Sequence, residues 1–331
     1  MRLFITAGLV LAIGAAWAQD AAKKPASEKK SFTFGVIAKS NSNPVFQAAL
    51  KGAQSRAKEL SKDGLEIKID WRTPNDEDAQ KQADNIEQLV NAGVDGISIA
   101  CSDASKVTNA INDAVGKGVP VMCFDSDAPK SKRFAYFGVD DIQTGERVMA
   151  ELDKALGGKK GRIAVLAGNQ TAPNLQLRVQ GVMSKGKELG YTIDKSTDVF
   201  YHKETPQDAA SKVEDVMKSN PDIVGWAMIG GWPLFTDALL KMKPGVTKIV
   251  AVDALPAELP YVETGVAQIL LAQKVFDWGT QSVDLLLAKA QGKEVKERNI
   301  SELVPVTKDN LKEWAQTLKT WGFEVNPKYL Q

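Results

Sequence analysis

The chain alternates short apolar strands with amphipathic helices, and this alternation constrains the fold more than any other feature. The buried-strand pattern of residues 32–38 is followed by helical spacing over 44–60, and similar pairs of segments recur through both halves of the sequence. Repeated β-α-β units form a parallel sheet that helices cover on both faces. The sequence therefore predicts an α/β fold.

The second half of the chain repeats the first. Residues 94–97 resemble 221–224 at an offset of 127, and residues 121–125 resemble 249–253 at an offset of 128. A chain of 331 residues is long enough for two domains of similar size. We therefore expect two α/β lobes built on one plan, with chance similarity between parallel strands as the alternative.

Residues 1–18 have the organisation of a secretory signal peptide. Arg2 precedes an apolar run over 3–16, and the small residues around Trp17 form a cleavage signal. The alternative, an N-terminal anchor, is disfavoured because the run is short for a membrane span. We expect residues 19–31 to form a flexible polar leader and the mature protein to be periplasmic.

The charge balance and the scarcity of histidine and cysteine argue against several classes of function. With 42 Lys and Arg against 41 Asp and Glu, the chain lacks the basic excess typical of nucleic-acid or anionic-membrane binding. One histidine, His202, and two cysteines leave little for a metal site or a catalytic triad. We therefore expect a protein without metal or cofactor that is not an enzyme.

Cys101 and Cys123 lie on sequential strands of the predicted sheet. Export would permit a disulfide between them, but the geometry between parallel neighbours is demanding. Two buried thiols are the favoured interpretation, and the sequence leaves the disulfide open.

In open α/β sheets, ligands bind beyond the carboxyl ends of the strands, and two such lobes facing each other form a cleft. Polar and aromatic residues that follow the strands are therefore the candidate ligand-binding residues. Carboxylates and amides suit vicinal hydroxyls, and aromatic faces suit the C–H face of a sugar ring. Few cations follow the strand ends, so a neutral polyol is favoured over an anionic ligand. The candidates are Asn43, Phe46, Asp125, Ser126, Asn174, Gln176, Trp232, Asp253 and Gln273.

Several of these residues also have a purely structural interpretation. Asp125 and Asp253 could be helix N-caps, although both occupy the repeated strand-end position. Asp103 is favoured as a cap, and Asn43, which precedes a proline, could be a cap followed by proline at the first helical position. The two aromatic candidates could instead belong to the core.

Four motifs occur in order along the chain, at residues 43–46 (NPVF), 93–97 (GVDGI), 119–129 (VPVMCFDSDAP) and 136–140 (YFGVD), the last followed by Gly145. Together they resemble the periplasmic sugar-binding proteins of ABC importers, in the type I, ribose-binding-protein-like family. The resemblance extends over residues 32–306. The set is specific, although no single motif is.

This resemblance implies two Rossmann-like lobes, each a parallel sheet flanked by helices, joined by a three-segment hinge. The crossings would fall near 138–140, 273–274 and 303–306. The N-terminal lobe would then comprise 32–139 plus 274–303, and the C-terminal lobe 140–273 plus 304–331. Residues 307–331 extend past the family's usual end; we expect them to pack on a lobe, with a partner contact as the alternative.

The resemblance also assigns sugar contacts residue by residue, and the chain departs from the ribose pattern at several of them. Ser126 and Gln176 stand where the family has arginines, Trp232 lies beside the place of a family asparagine, and Glu204 falls near a family aromatic position. Arg178 is kept and is interpreted as structural. We therefore expect a ligand other than ribose. The positions that match the family's contacts are Asn43, Phe46, Asp125, Asp253 and Gln273.

The function implied by the resemblance is capture of a neutral monosaccharide or cyclic polyol by hinge closure, followed by delivery to an ABC permease, by a monomer. A periplasmic sensor that presents its ligand to a chemoreceptor or kinase is the alternative. An exported carbohydrate-acting enzyme that uses Asp125 and Asp253 as its carboxylate pair is less favoured. A LacI-type regulator is disfavoured because the signal sequence stands in the place of a helix-turn-helix.

Overall fold

In the computed structural model, which describes residues 29–331, twelve strands form two separate six-stranded sheets. Each sheet takes its first five strands from one half of the chain and its sixth from a short late segment. The strands are β1 (Ser31–Ile37), β2 (Glu66–Trp71), β3 (Gly96–Ile99), β4 (Val121–Phe124), β5 (Ala135–Gly138), β6 (Arg162–Gly168), β7 (Val199–Tyr201), β8 (Ile223–Met228), β9 (Lys248–Val252), β10 (Ile269–Ala272), β11 (Arg298–Ile300) and β12 (Val304–Val306).

The two sheets share one strand order, which confirms the predicted repeat. The first is ordered β11-β5-β4-β3-β1-β2 and the second β12-β10-β9-β8-β6-β7. All pairs in the first sheet are parallel, and only β12 in the second pairs antiparallel, with β10. β4 and β9, which carry the motif repeated at offset 128, therefore occupy equivalent places.

Helices cover both faces of each sheet, as parallel sheets require. In the first lobe α1 and α8 pack together on one face, and α2 and α3 pack together on the other. In the second lobe α4 and α5 form the closest helix pair. The helices are α1 (Pro44–Lys62), α2 (Ala79–Asn91), α3 (Ala104–Gly116), α4 (Asp141–Leu156), α5 (Pro173–Glu188), α6 (Pro206–Ser219), α7 (Leu259–Thr264), α8 (Val275–Ala290) and α9 (Leu311–Thr320).

The chain passes between the two sheets three times, which fits the expected three-segment hinge. The passages lie between β5 and α4, between β10 and α8, and between β11 and β12. The third is earlier than predicted, because Val304–Val306 already pairs as β12 in the second sheet. Within residues 29–331, no helix combines the length and apolarity that crossing a membrane requires. The predicted signal peptide and most of the leader lie outside the described residues, and β1 begins at Ser31.

Several local sequence signals have the predicted structural outcome. Asp103 caps α3 by accepting hydrogen bonds from the backbone of Ser105 and Lys106. Cys101 and Cys123 are buried free thiols with their sulfur atoms 3.9 Å apart.

The C-terminal segment contacts both lobes rather than one. Trp314 on α9 donates to the carbonyl of Ala254 at 2.7 Å, just after β9 in the second lobe. Trp321 stacks on Phe276 of α8, with ring centroids 5.7 Å apart, and Lys51 of α1 donates to the carbonyl of Gly322 at 2.8 Å. The segment therefore joins the second sheet to the helices that cover the first.

A glycine on each helix allows the main helix pair of each lobe to approach closely. A Cβ at Gly52 or Gly279 would lie 2.0 or 1.9 Å from a backbone oxygen of the partner helix in the α1–α8 pair. At Gly145 and Gly181 in the α4–α5 pair the corresponding distances are 1.9 and 2.1 Å. Any larger residue would push the helices apart, since backbone atoms cannot move aside as flexible side chains do.

We expect Gly279→Ala to lower the free energy of unfolding by about 1–3 kcal/mol or more, because the added methyl group forces α8 away from α1. Urea unfolding followed by circular dichroism measures the loss. Gly116→Ala is the matched control: Gly116 ends α3 with open space around its Cα, so alanine there is neutral or stabilises by up to about 1 kcal/mol. Equal unfolding midpoints in the two variants would contradict the close-contact interpretation.

Candidate functional site

Two aspartates occupy equivalent positions directly after β4 and β9. Asp125 has φ 55° and Asp253 has φ 79°, and among residues 29–331 they are the only non-glycine residues with positive φ. Neither caps a helix, so the structure does not support the cap alternative for this pair. The left-handed conformation is costly for most side chains and is concentrated at functional sites. Both carboxylates are buried.

The Asp125 carboxylate lies between the lobes. Its Oδ1 accepts a hydrogen bond from Nδ2 of Asn174 at 3.3 Å and lies 3.9 Å from Nη2 of Arg178, both on α5 of the second lobe. Burial raises the pKa of Asp125, while the positive charges of Lys39 and Arg178 oppose the shift. The site therefore combines residues from both halves of the chain.

The Asp253 carboxylate is held by donors from its own surroundings. Oδ1 accepts from Nε2 of Gln273 at 2.8 Å, and Oδ2 accepts from the backbone N–H of Gly231 at 3.2 Å. Burial raises the pKa of Asp253, and the hydrogen bond from Gln273 opposes that shift. Gln273 lies in the second hinge passage, so this carboxylate is tied directly to the hinge.

Arg178 connects these groups. Its Nε donates to Oδ1 of Asp141 at 2.9 Å, its Nη1 to the carbonyl of Ile229 at 3.1 Å, and its Nη2 to Oε1 of Gln273 at 3.0 Å. Burial raises the pKa of Asp141 to about 7, although the Arg178 charge acts in the opposite direction. Arg178 thus organises the site's polar groups, a role that goes beyond the structural one expected for it.

Lys39 is the main residue that the sequence analysis missed. It lies two residues after the end of the buried strand β1, and it is only 1 % exposed. Its Nζ lies 3.4 Å from Oδ1 of Asn174 and 3.7 Å from Oε2 of Glu204 in the second lobe, and 4.0 Å from Oε1 of Glu77 in the first. A lysine close after an apolar strand was a signal for a buried cation at this edge.

A cavity of about 700 Å³ opens between the lobes beside Glu77 and Glu204. Its lining comes from the loops after β1 and β2 on one side and after β6 and β7 on the other. The cavity therefore lies beyond the carboxyl ends of strands, where ligands bind in such sheets, but none of the nine candidate ligand-binding residues lines it. The lining includes Ser40, Ser42, Asp76, Gly168, Asn169, Gln170, His202 and Asp208.

Two further polar candidates lie at strand or helix ends. Asn43 caps α1, with its side chain accepting from the backbone of Val45 at 3.2 Å, so its cap role is confirmed. Ser126 is fully buried, and its hydroxyl oxygen has no hydrogen-bond partner in the structure. An unpaired buried hydroxyl is costly, so a hydrogen bond from Ser126 to a ligand would remove that cost. For both residues the ligand contact stays a prediction.

The two aromatic candidates are buried against other rings. Phe46 packs on Trp278 of α8, with ring centroids 5.9 Å apart. Trp232 is 4 % exposed and meets His202 edge to face at 4.9 Å. Since His202 lines the cleft cavity, Trp232 lies one side chain behind that wall.

Gln176 is not brought together with the other candidates. Tyr201 donates to its Oε1 at 3.3 Å, and Gln176 lines a separate cavity that α5 forms with residues 191–195. Its neighbours Asn174 and Arg178 on the same helix are the residues that reach Asp125.

Comparison with known proteins agrees with this geometry. Residues 34–294 match the family model for the periplasmic binding protein domain. The ribose import binding protein of Bacillus subtilis is 28% identical over 195 residues, covering 59% of this chain and 60% of that protein. The xylitol-binding protein of Mycolicibacterium smegmatis is 25% identical over 258 residues, covering 74% of this chain and 70% of that protein. The match thus spans only about three fifths of the ribose-binding relative.

Solved structures show the same architecture. An ABC transporter solute-binding protein from Burkholderia graminis, in complex with D-arabinose, superposes with a TM-score of 0.77 at 27% identity, covering 84% of this chain and 96% of that one. Two parallel-sheet lobes with a polar cleft between them define the class of two-lobed solute-binding proteins. The chain belongs to the periplasmic binding protein family, as the motif resemblance predicted.

We expect Arg178→Met to lower the free energy of unfolding by about 3–5 kcal/mol, because it leaves buried carboxylates without a counter-charge. Adding Asp141→Asn should recover part of that loss, which a double-mutant cycle in urea measures. Arg56→Met is the matched control: Arg56 pairs with Asp284 at 2.7 Å but its side chain is 32 % exposed, so the cost is below about 1 kcal/mol. Similar losses for Arg178→Met and Arg56→Met would refute this role.

Proposed function

We propose that this chain is a periplasmic solute-binding protein that captures a neutral monosaccharide or cyclic polyol between its lobes and delivers it to an ABC permease. The observation that carries the proposal is the pair Asp125 and Asp253. They stand at equivalent strand ends, are the two non-glycine residues with positive φ among residues 29–331, and share the Arg178–Gln273 network. Positive φ at a non-glycine residue is uncommon and is concentrated at functional sites.

The chemistry of the cleft favours a ligand rich in hydroxyls. Buried carboxylates accept from hydroxyl groups, while Asn174 and Lys39 supply donors from opposite lobes. The Lys39 ammonium faces two carboxyl groups, those of Glu77 and Glu204, so it offers no excess positive charge to an anion. The ligands named for the relatives (ribose, xylitol and D-arabinose) support the same class.

The mechanism we propose is hinge closure. We assign residues 32–139 plus 274–303 to the N-terminal lobe and 140–273 plus 304–331 to the C-terminal lobe, because the three passages between the sheets fall near these limits. A ligand that contacts both Asp125 and Asp253 stabilises the closed form through contacts that the open form cannot make. A permease would recognise the closed shape of the monomer.

The alternatives require different experiments. A sensor that presents its ligand to a chemoreceptor or kinase would show the same binding and closure, and co-purification with a permease or a receptor distinguishes the two. An enzyme would convert the sugar, so chromatography of the sugar after incubation separates that function from binding. We propose binding without catalysis, because Asp125 and Asp253 are engaged by amide and guanidinium groups.

A thermal-shift screen of the exported protein against monosaccharides, cyclic polyols and amino acids tests the proposed ligand class. A ligand present at about 100 times its dissociation constant adds about 2.7 kcal/mol of stability. We expect a shift with at least one sugar or polyol and none with amino acids. No shift with any sugar or polyol would overturn the proposal.

Asp125→Asn and Asp253→Asn should each weaken binding of the sugar that the screen identifies by about 10–100-fold, because each removes a charged acceptor. Asparagine tolerates the left-handed backbone, so the fold should be retained. Asp103→Asn, on the cap of α3, is the control and should bind like the unmodified protein. Isothermal titration checks all three, and unchanged affinity in both cleft variants would exclude these carboxylates from the site.

A further inference from the structure

Two glutamates from opposite lobes are bridged by the same two residues. The Lys39 ammonium lies 3.7 Å from Glu204 Oε2 and 4.0 Å from Glu77 Oε1. Asn169 donates from its backbone N–H to Glu204 Oε1 at 3.3 Å and from its side chain to Glu77 Oε2 at 3.0 Å. Glu77 follows β2 and Glu204 follows β7, so this four-residue cluster spans the cleft.

The charges in this cluster are out of balance. The Lys39 ammonium faces two carboxyl groups, and Asp125 is close by. The side chain of Glu204 is 3 % exposed and that of Glu77 is 14 % exposed. Burial, and next the charge of Glu77, raise the pKa of Glu204 to about 8. Burial alone would lower the pKa of Lys39, but the carboxylates of Glu204, Glu77 and Asp125 hold it above its usual range. The lysine therefore stays charged, and Glu204 is the carboxyl group that changes protonation.

We propose that closing the cleft takes up one proton, which the Glu77–Glu204 pair holds between the lobes, so that acidity favours the closed form. Two carboxylates forced together from opposite sides cannot both remain charged beside a single lysine. Separating the lobes returns Glu204 to water and releases the proton. The inference concerns the regulation of the proposed binding site and rests on the hinge closure proposed for it.

Other titratable groups face the same region. Asp76, His202, Lys203 and Asp208 line the adjoining cavity, and Asp125, Asp141, Arg178 and Asp253 lie deeper between the lobes. Burial lowers the pKa of His202, which keeps its ring neutral near pH 7. These groups are unchanged when Glu204 alone is substituted, so a comparison of variants isolates the pair.

The sign of the effect follows from linkage. In the closed form the pKa of Glu204 is raised to about 8, whereas an exposed glutamate keeps its ordinary pKa of 4.5. Between these limits the closed form holds more protons, so the ratio of closed to open molecules falls as pH rises, by up to about tenfold per pH unit. Below and above this pH range, protonation of the Glu77–Glu204 pair no longer changes the ratio of closed to open molecules.

The test measures lobe separation without any sugar. Spin labels on Lys81→Cys at the start of α2 and Gln207→Cys at the start of α6 report the distance across the cleft mouth, since both positions are exposed and the native cysteines are buried. Between about pH 6 and about pH 9 the ratio of the short-distance to the long-distance population should fall by about tenfold or more in the unmodified cleft. Glu204→Gln imitates the protonated carboxyl and should keep the short distance across this range.

Two further variants make the result decisive. Glu77→Gln should also remove the pH response. It therefore provides a second test of the proposal if circular dichroism shows that Glu204→Gln does not fold. Glu214→Gln is the matched control on α6: Glu214 pairs with Lys241 within the second lobe, so its response should equal that of the unmodified protein. A pH response that survives both cleft substitutions, or that is absent from the unmodified protein, overturns the proposal. Because no sugar is present, failure of the sugar screen leaves this result interpretable.

Discussion

Charge buried between two lobes must be matched by charge or hydrogen bonds, and the rest of this structure is arranged around that constraint. Arg178 alone engages Asp141 and Gln273 and lies close to Asp125. Lys39 is a second buried cation, which faces Glu77 and Glu204 between the lobes. Removing an ion from water costs several kcal/mol unless its partners are in place. The positions of these two cations therefore fix how the lobes can face each other.

Repetition of one α/β plan explains why such a site arises between the lobes. Identical strand orders place β4 and β9 at equivalent points, so the residue after each one faces the opening between the sheets. Each lobe also packs its main helix pair through glycines, which lets the two helices approach closely. The strand order of the two sheets thus determines where the site lies, and the individual side chains determine what it can bind.

Local patterns predicted the sheets, the repeat and the strand-end aspartates, because each depends on residues close in sequence. These patterns gave wrong or missing site residues where the orientation of a side chain on its helix, or a contact between the lobes, determines which residues reach the cleft. Residues two apart on a helix point to nearly opposite sides, so Asn174 and Gln176 cannot both face the cleft, whereas Asn174 and Arg178, four apart, can. The partners of Lys39 lie far away in sequence, at Glu77 and Glu204, and no local pattern identifies such pairs.

The left-handed backbone at Asp125 and Asp253 limits how this protein can evolve a new ligand preference. Glycine, asparagine and aspartate are the residues that such a conformation accommodates readily, and of these only aspartate carries charge. A change of side chain there is therefore nearly confined to removing the charge. Substitutions that change the ligand preference are therefore expected at other cleft residues with ordinary backbone angles, such as Ser126 and Glu204. At these two positions the chain already departs from the ribose pattern.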